Sequence, residues 1–290
     1  MAGQRVESDS LIRRDHCSRV ARHGLRAAEL YRRQRMPCVG RRCDVDDLCR
    51  SEALEIIESR IEDPGYTACL LCDPNGTGGA IFLSPRQDRA RRRFSLAHEI
   101  GHFRIPAHRA LRHNGARCGD AAMRADASDA AHLEWEANDF ATELLMPTRL
   151  FARDAADRDF SVAVARELAS DAYYDVSVTA AAWRMTQLAT RPCAIVMSAS
   201  GTVKWALRSE AMRLPGLRRD TRVRAGTLAM ISLDGGVGAV HPTEVDVAAW
   251  FEPRYPVRAR LLESTHVVGS TGQVMSMLRF AKGGSDDASG

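Results

Sequence analysis

Arg93-Phe94-Ser95-Leu96-Ala97-His98-Glu99-Ile100-Gly101-His102-Phe103 places a His-Glu-x-x-His pentapeptide inside an otherwise apolar run. On a helix, residues four apart share a face about one turn from each other, so His98 and His102 can aim imidazole nitrogens at a common point. Such a pair is a metal site that still needs a third ligand. Glu99 sits beside the same point without filling a coordination position. A carboxylate placed there can take a proton from a bound water and pass it to a leaving amine, the division of labour in zinc peptidases. Phe94, Leu96, Ala97, Ile100 and Phe103 cover much of the helix surface, so the helix is expected to be buried. Buried imidazoles and a buried carboxylate then need partners.

Three residues can complete the site. His108 lies six residues after His102, at the overall spacing of His-Glu-x-x-His-x-x-Gly-x-x-His. The Gly of that pattern is Ile105 here and Pro106 follows, which argues against the sharp turn that would bring His108 back. The alternative reading of His108 is a loop histidine. The other two candidates are Glu134 and Glu136, on a second helix expected to open near Ser128 or Asp129 and to stop at Met146-Pro147. Its apolar stripe runs through Leu133, Ala137, Phe140, Ala141, Leu144 and Leu145. Glu134 lies nearer that stripe than Glu136, which otherwise reads as a solvated partner for nearby Arg. Asn138, one turn after Glu134, can hydrogen-bond a ligand histidine and hold its ring.

The two blocks together, residues 93–102 and Glu134-Trp135-Glu136-Ala137-Asn138-Asp139-Phe140-Ala141-Thr142-Glu143-Leu144-Leu145-Met146-Pro147, resemble the ImmA/IrrE family of metallopeptidases. The resemblance is good over roughly residues 40–150 and weaker beyond. It implies Zn2+ bound by His98, His102 and Glu134, with Glu99 as general base; another divalent ion such as Mn2+ is an alternative. It also implies a narrow protein substrate, typically a helix-turn-helix repressor whose cleavage switches on stress-response or mobile-element genes. One departure is the long Arg/Ala-rich stretch between the blocks, read as a surface loop.

Outward from these blocks, the expected architecture is α+β. A small gluzincin-like peptidase domain spans 14–150, a helical segment 155–190, a smaller mixed or mainly β domain 191–281 and a disordered tail 282–290. Toward the N-terminus, residues 16–35 read as an exposed amphipathic helix through Val20, Leu25, Ala28, Leu30 and Tyr31, packed on the peptidase core. A second helix is expected from Asp44 or Asp46 to about Ile61, stopped by Asp63-Pro64-Gly65. Two short strands, 66–72 and 80–84, flank the turn Asp73-Pro74-Asn75-Gly76-Thr77-Gly78-Gly79 as a hairpin. The second strand either borders the cleft, where an extended substrate could add to its edge, or pairs inside the sheet.

Toward the C-terminus, 160–188 reads as two helices joined near Asp175-Val176-Ser177. They serve as a packing segment between domains or, as in the family's helix-turn-helix-like members, contact DNA directly. Six apolar runs follow, at 193–197, 202–207, 227–233, 245–251, 260–268 and 274–280, mostly separated by turn residues. Some members of the family have a GAF-like sensor domain here, but no ligand motif in these runs supports one. His132, Tyr173 and Tyr174 are available as oxyanion donors, and nothing in the sequence ranks them.

Composition narrows the classes. With 290 residues, 45% of them hydrophobic, the chain has ample material for a packed core. Its start, MAGQRVESDS, has no apolar signal core and no run is long enough to span a membrane, so a cytoplasmic protein without membrane partners is expected. The eight cysteines are too sparse for a disulfide scaffold. Cys69-x-x-Cys72 lies in a strand-like run and reads as structural; Cys38, Cys43 and Cys49 fit no metal spacing. A net charge of +4, with only Lys204 and Lys282 among 41 basic residues that are not Arg, permits nucleic-acid contact without predicting it.

Overall fold

The computed structural model describes residues 14–35, 41–59, 67–108, 129–235, 237–252, 260–269 and 272–281. The expected tail, the stop at Asp63-Pro64-Gly65, and 109–128 of the interblock loop lie outside them. The chain divides into two compact units, Met1–Pro147 and Thr148–Gly290. Both helices and sheets are present, giving the α+β class. No helix among the described residues is long and apolar enough to cross a membrane.

The first unit begins with α1 (Arg14–Arg35) and α2 (Val45–Ser51). Asp44 caps α2 by accepting from the Asp47 N–H at 3.0 Å, satisfying one donor that the first helical turn leaves open. The second helix expected to reach Ile61 ends ten residues earlier. Glu52 closes it, Ala53 takes a left-handed conformation with φ 53, and Leu54–Glu58 becomes strand β1. The adjacent β-branched Ile56 and Ile57 suit a strand, and the pairing partner that secures it comes from farther along the chain.

That partner is β3 (Gly79–Leu83), which runs parallel to β1 and antiparallel to β2 (Ala68–Cys72). The β2–β3 hairpin forms about the Asp73-to-Gly78 turn as the turn residues predict. The sheet order is β1-β3-β2, so β3 is the interior strand, paired on both sides, and offers no free edge to a substrate. An extended segment adding to this sheet would have to join at β1 or β2. Strand alternation also sends Cys69 and Cys72, three apart, to opposite faces of β2, in keeping with their structural reading.

Two helices complete the unit. Asp88 caps α3 (Arg89–Arg104), accepting from the Arg91 N–H at 2.8 Å, and Leu96, Ala97, Ile100 and Phe103 are buried as expected. The last, α4 (Asp129–Leu145), packs against both α1 and α3. Two glycines set those approaches. A Cβ at Gly24 of α1 would lie 2.2 Å from the Glu136 carbonyl oxygen, and one at Gly101 of α3 would meet three atoms of the Phe140 side chain at 3.1 Å. Helix α1 is further tied down by the Arg32 guanidinium on the Leu144 carbonyl at 2.5 Å and by Tyr31 against Phe140. Leu30, assigned to its apolar stripe from sequence, is 59% exposed.

The second unit opens with α5 (Thr148–Ala155), α6 (Val162–Ala169) and α7 (Val178–Leu188), the last two with Ser161 and Ser177 as N-caps. A five-stranded antiparallel sheet follows in the order β5-β4-β8-β7-β6. Its strands are β4 (Cys193–Ala199), β5 (Thr202–Arg208), β6 (Thr243–Val245), β7 (Leu261–Val268) and β8 (Gln273–Phe280). Run 227–233 is helical, forming most of α8 (Leu228–Gly235), and run 245–251 holds the end of β6 and the short α9 (Val247–Trp250). The β4–β5 hairpin turns on Ser200 and Gly201, both at positive φ, the backbone a two-residue turn between twisted strands requires. Beneath α8 the Glu263 carboxylate is fully buried and accepts four hydrogen bonds at 2.8–3.0 Å. They come from the Leu228 and Ala229 N–H groups, the Trp250 indole and the Ser276 hydroxyl.

Candidate metal centre

The helical period of α3 stacks His98 and His102 with their Nε2 atoms 3.0 Å apart. From α4, Glu134 reaches both: its Oε2 is 3.1 Å from His98 Nε2 and its Oε1 3.4 Å from His102 Nε2. All three ligand atoms lie within 4.8 Å of one another, and among the described residues this is the one cluster of three or more metal-capable side chains. His102 is fully buried, while His98 and Glu134 keep 12% and 36% exposure, so the centre opens to solvent on their side.

The donor set fits a zinc-type ion. Bonds of about 2.1 Å in a tetrahedron give ligand-to-ligand edges of about 3.4 Å, close to the 3.0, 3.1 and 3.4 Å found here. The outer nitrogens fit as well. His98 Nδ1 lies 3.0 Å from Asn138 Oδ1, so it carries the proton and leaves Nε2 as a lone pair. Burial by itself would raise the Glu134 carboxyl, but in the metal-free site the facing His102 and His98 rings, which donate to it when Nε2 is protonated, more than reverse this and hold it well below the usual carboxylate range. The oxygen ligand is therefore anionic at neutral pH.

His108 differs from both readings made of it. Ile105 ends α3 with its N–H on the Gly101 carbonyl, and Pro106 opens a new helical turn in which the His108 N–H bonds the Ile105 carbonyl at 3.0 Å. Proline suits the first position of a turn because the N–H it lacks would have no partner there. His108 is thus neither a loop histidine nor placed at the ligand apex: it is fully buried, with Nδ1 3.0 Å from His102 Nδ1, on the far side of that ring. Its Nε2 pairs with Glu136 Oε2 at 2.9 Å, so Glu136, at 14% exposure, is not a solvated partner for arginine. The sequence signal for this pair was Pro106 read as the start of a turn.

Glu99 follows His98 directly and is 1% exposed. The tyrosine hydroxyls considered as oxyanion donors are engaged within the second unit, Tyr173 on Glu167 and Tyr174 on Asp154, while the His132 ring lies against Trp135. Burial pushes the Cys43 and Cys49 thiols up to about 11 and about 12, so neither offers a thiolate at neutral pH. Cys38 lies outside the described residues.

Residues 60–186, which include every member of this cluster, match the family model of the IrrE N-terminal-like domain. Over this stretch the chain is similar to the ImmA/IrrE peptidase family. That family is one of zinc-type metallopeptidases, in agreement with the His-His-Glu set of the IrrE-like domain. No curated protein matches the chain. Among solved structures, a Mycobacterium tuberculosis transcriptional regulator is similar in fold, with a TM-score of 0.54 and 13% identity over 92% of this chain and 78% of that one.

Proposed function

We propose that the IrrE-like domain is a metallo-endopeptidase that binds Zn2+, or another divalent ion such as Mn2+, through His98, His102 and Glu134, with Glu99 as general base. The observation that carries this reading is the convergence of three ligand atoms within 4.8 Å at a helix that also bears a buried glutamate inside His-Glu-x-x-His. A bound zinc ion would supply the Lewis acidity that polarises a water and a peptide carbonyl. The protein's own groups do the rest. Asn138 fixes the His98 ring, and Glu134 contributes the negative charge that makes the site attractive to a cation. Glu99 takes the proton of the attacking water and returns it to the leaving amine.

The substrate class proposed is a specific protein, such as a helix-turn-helix transcriptional repressor, with the reaction taking place in the cytoplasm. Support comes from the family resemblance of the two motif blocks. The test uses zinc-loaded full-length chain and a repressor encoded beside its gene. Glu99→Gln should retain zinc and lose cleavage by about 10²- to 10⁴-fold. Equal cleavage by parent and variant would remove Glu99 as the base.

A second reading is a non-proteolytic, metal-binding regulator that recognises a partner protein or DNA. It is favoured by the second unit, with its own sheet and core, and by the similar fold of a protein named a transcriptional regulator. Under that reading parent and Glu99→Gln bind the repressor or DNA equally and neither cleaves.

A further inference from the structure

The Nδ1 side of His102 is occupied by a buried chain of three groups that the reaction above leaves without a role. His102 Nδ1 faces His108 Nδ1 at 3.0 Å, and His108 Nε2 faces Glu136 Oε2 at 2.9 Å. His102 and His108 are fully buried, so no solvent replaces either contact. Two imidazole nitrogens at that separation share one proton: one donates and the other accepts. A carboxylate can only accept unless it is itself protonated, so Glu136 holds a proton on His108 Nε2. Neutral His108 then presents a lone pair at Nδ1, and His102 must carry its own proton at Nδ1. The lone pair of His102 is thereby left at Nε2, the atom that faces His98 Nε2 and Glu134.

We infer that Glu136 and His108 are positioning residues that select the ligand tautomer of His102 and hold its ring, setting metal affinity without touching the metal. The alternative, a buried ion pair that serves stability alone, makes a different demand. A doubly protonated His108 would direct an N–H at His102 Nδ1 and send the proton of a neutral His102 to Nε2, into the ligand position. The proposal also separates the two histidines by their support. His98 rests on the neutral Asn138 amide, whereas His102 rests on an anion relayed through a second imidazole. An anionic partner raises the basicity of the ligand nitrogen more than an amide does.

This inference rests on the reading of His102 as a ligand, and the test separates the two. Zinc affinity is measured by competition with a chelator for the full-length parent, Glu136→Gln, His108→Phe and the double variant. Thermal unfolding of each metal-free protein and ¹⁵N NMR of the His102 ring accompany it. Glu136→Gln keeps the size of the side chain and should weaken zinc binding about 10- to 100-fold. Its amide oxygen can still accept from His108 Nε2, so the His102 proton should stay at Nδ1 and metal-free unfolding within a few degrees of the parent, whereas His108→Phe, which removes the acceptor, should free that proton to move to Nε2. The double variant should bind no more weakly than His108→Phe, because both changes cut one chain. Parent-like zinc affinity in Glu136→Gln, or losses that multiply in the double variant, would overturn the positioning role alone. A parent that takes up no zinc, behaving as His102→Ala is expected to, would overturn the ligand reading with it.

Discussion

Each unit buries carboxylate chemistry, and the two do it in opposite ways. In the second unit Glu263 is surrounded by donors: two backbone N–H groups, an indole and a hydroxyl point at its two oxygens, and although burial still carries its carboxyl above the usual value, those oxygens find their hydrogens inside the fold. In the first, the inner atoms of His98, His102 and Glu134 are acceptors when the imidazoles hold their protons outward, and they converge within 4.8 Å. A group enclosed by donors is scaffold. Acceptors facing one another leave a place for a cation, and counting which side supplies the hydrogens separates the two without reference to any motif.

Glu134→Ala gives the largest expected effect, since it removes the anionic ligand. Zinc affinity should fall on the order of a thousandfold, about 4 kcal/mol, while metal-free unfolding shifts little because no donor set is left empty. Metal analysis after dialysis and calorimetry check both halves; retained stoichiometric zinc would transfer the ligand role elsewhere. Glu263→Gln should invert that pattern, leaving zinc uptake intact and destabilising the second unit by about 3 kcal/mol. The amide turns an NH₂ toward groups that themselves donate. Chemical denaturation followed by the Trp250 environment would show it, and an unaffected midpoint would refute the scaffold reading.

Asp46, roughly a third exposed, offers the smallest effect and a scale for the others. It accepts a bidentate pair of bonds from Arg92 at 2.7 and 3.0 Å, and those bonds hold its carboxyl below the usual range. A depressed folded-state value means stability present above the unfolded value of about 4 and lost as pH falls through the lower folded value. Asp46→Asn should therefore cost no more than about 1 kcal/mol at pH 7, and the gap to the parent should close below about pH 4. A gap that persists into acid would mean packing, not charge, holds α2 to α3.

What the sequence made legible was local or periodic. His-Glu-x-x-His, the stripe of α4 and the turn at Asp73 to Gly78 all stand in short windows, and the structure forms the elements they imply. The misreadings share another cause. Strand β1 reads as helix from sequence because its hydrogen bonds come from β3, more than twenty residues on, and β3 reads as a possible cleft edge because strand order is not written in either strand. His108 is hard to place from sequence because Pro106 both stops a helix and starts one, and only the buried pairing with Glu136 tells which. Helical angle separates Glu134 from Glu136 only narrowly, and it is the resemblance of the second motif block that assigns the ligand role to Glu134. Both prove to be engaged, one at the inner face of the histidines and one behind them.

The close approach of α4 to α3 at Gly101 bears on which ion the centre prefers. A Cβ there would meet three atoms of the Phe140 side chain at 3.1 Å, so Gly101→Ala obliges Phe140 to give by a few tenths of an ångström, and with Phe140 held in the core its helix is expected to follow. Glu134 rides on that helix, and its two oxygens would draw back from the histidines. A widened bite suits an ion with longer bonds and an appetite for oxygen, so selectivity should drift from zinc toward manganese. The choice of element would then be governed by a missing methyl group that never meets the ion.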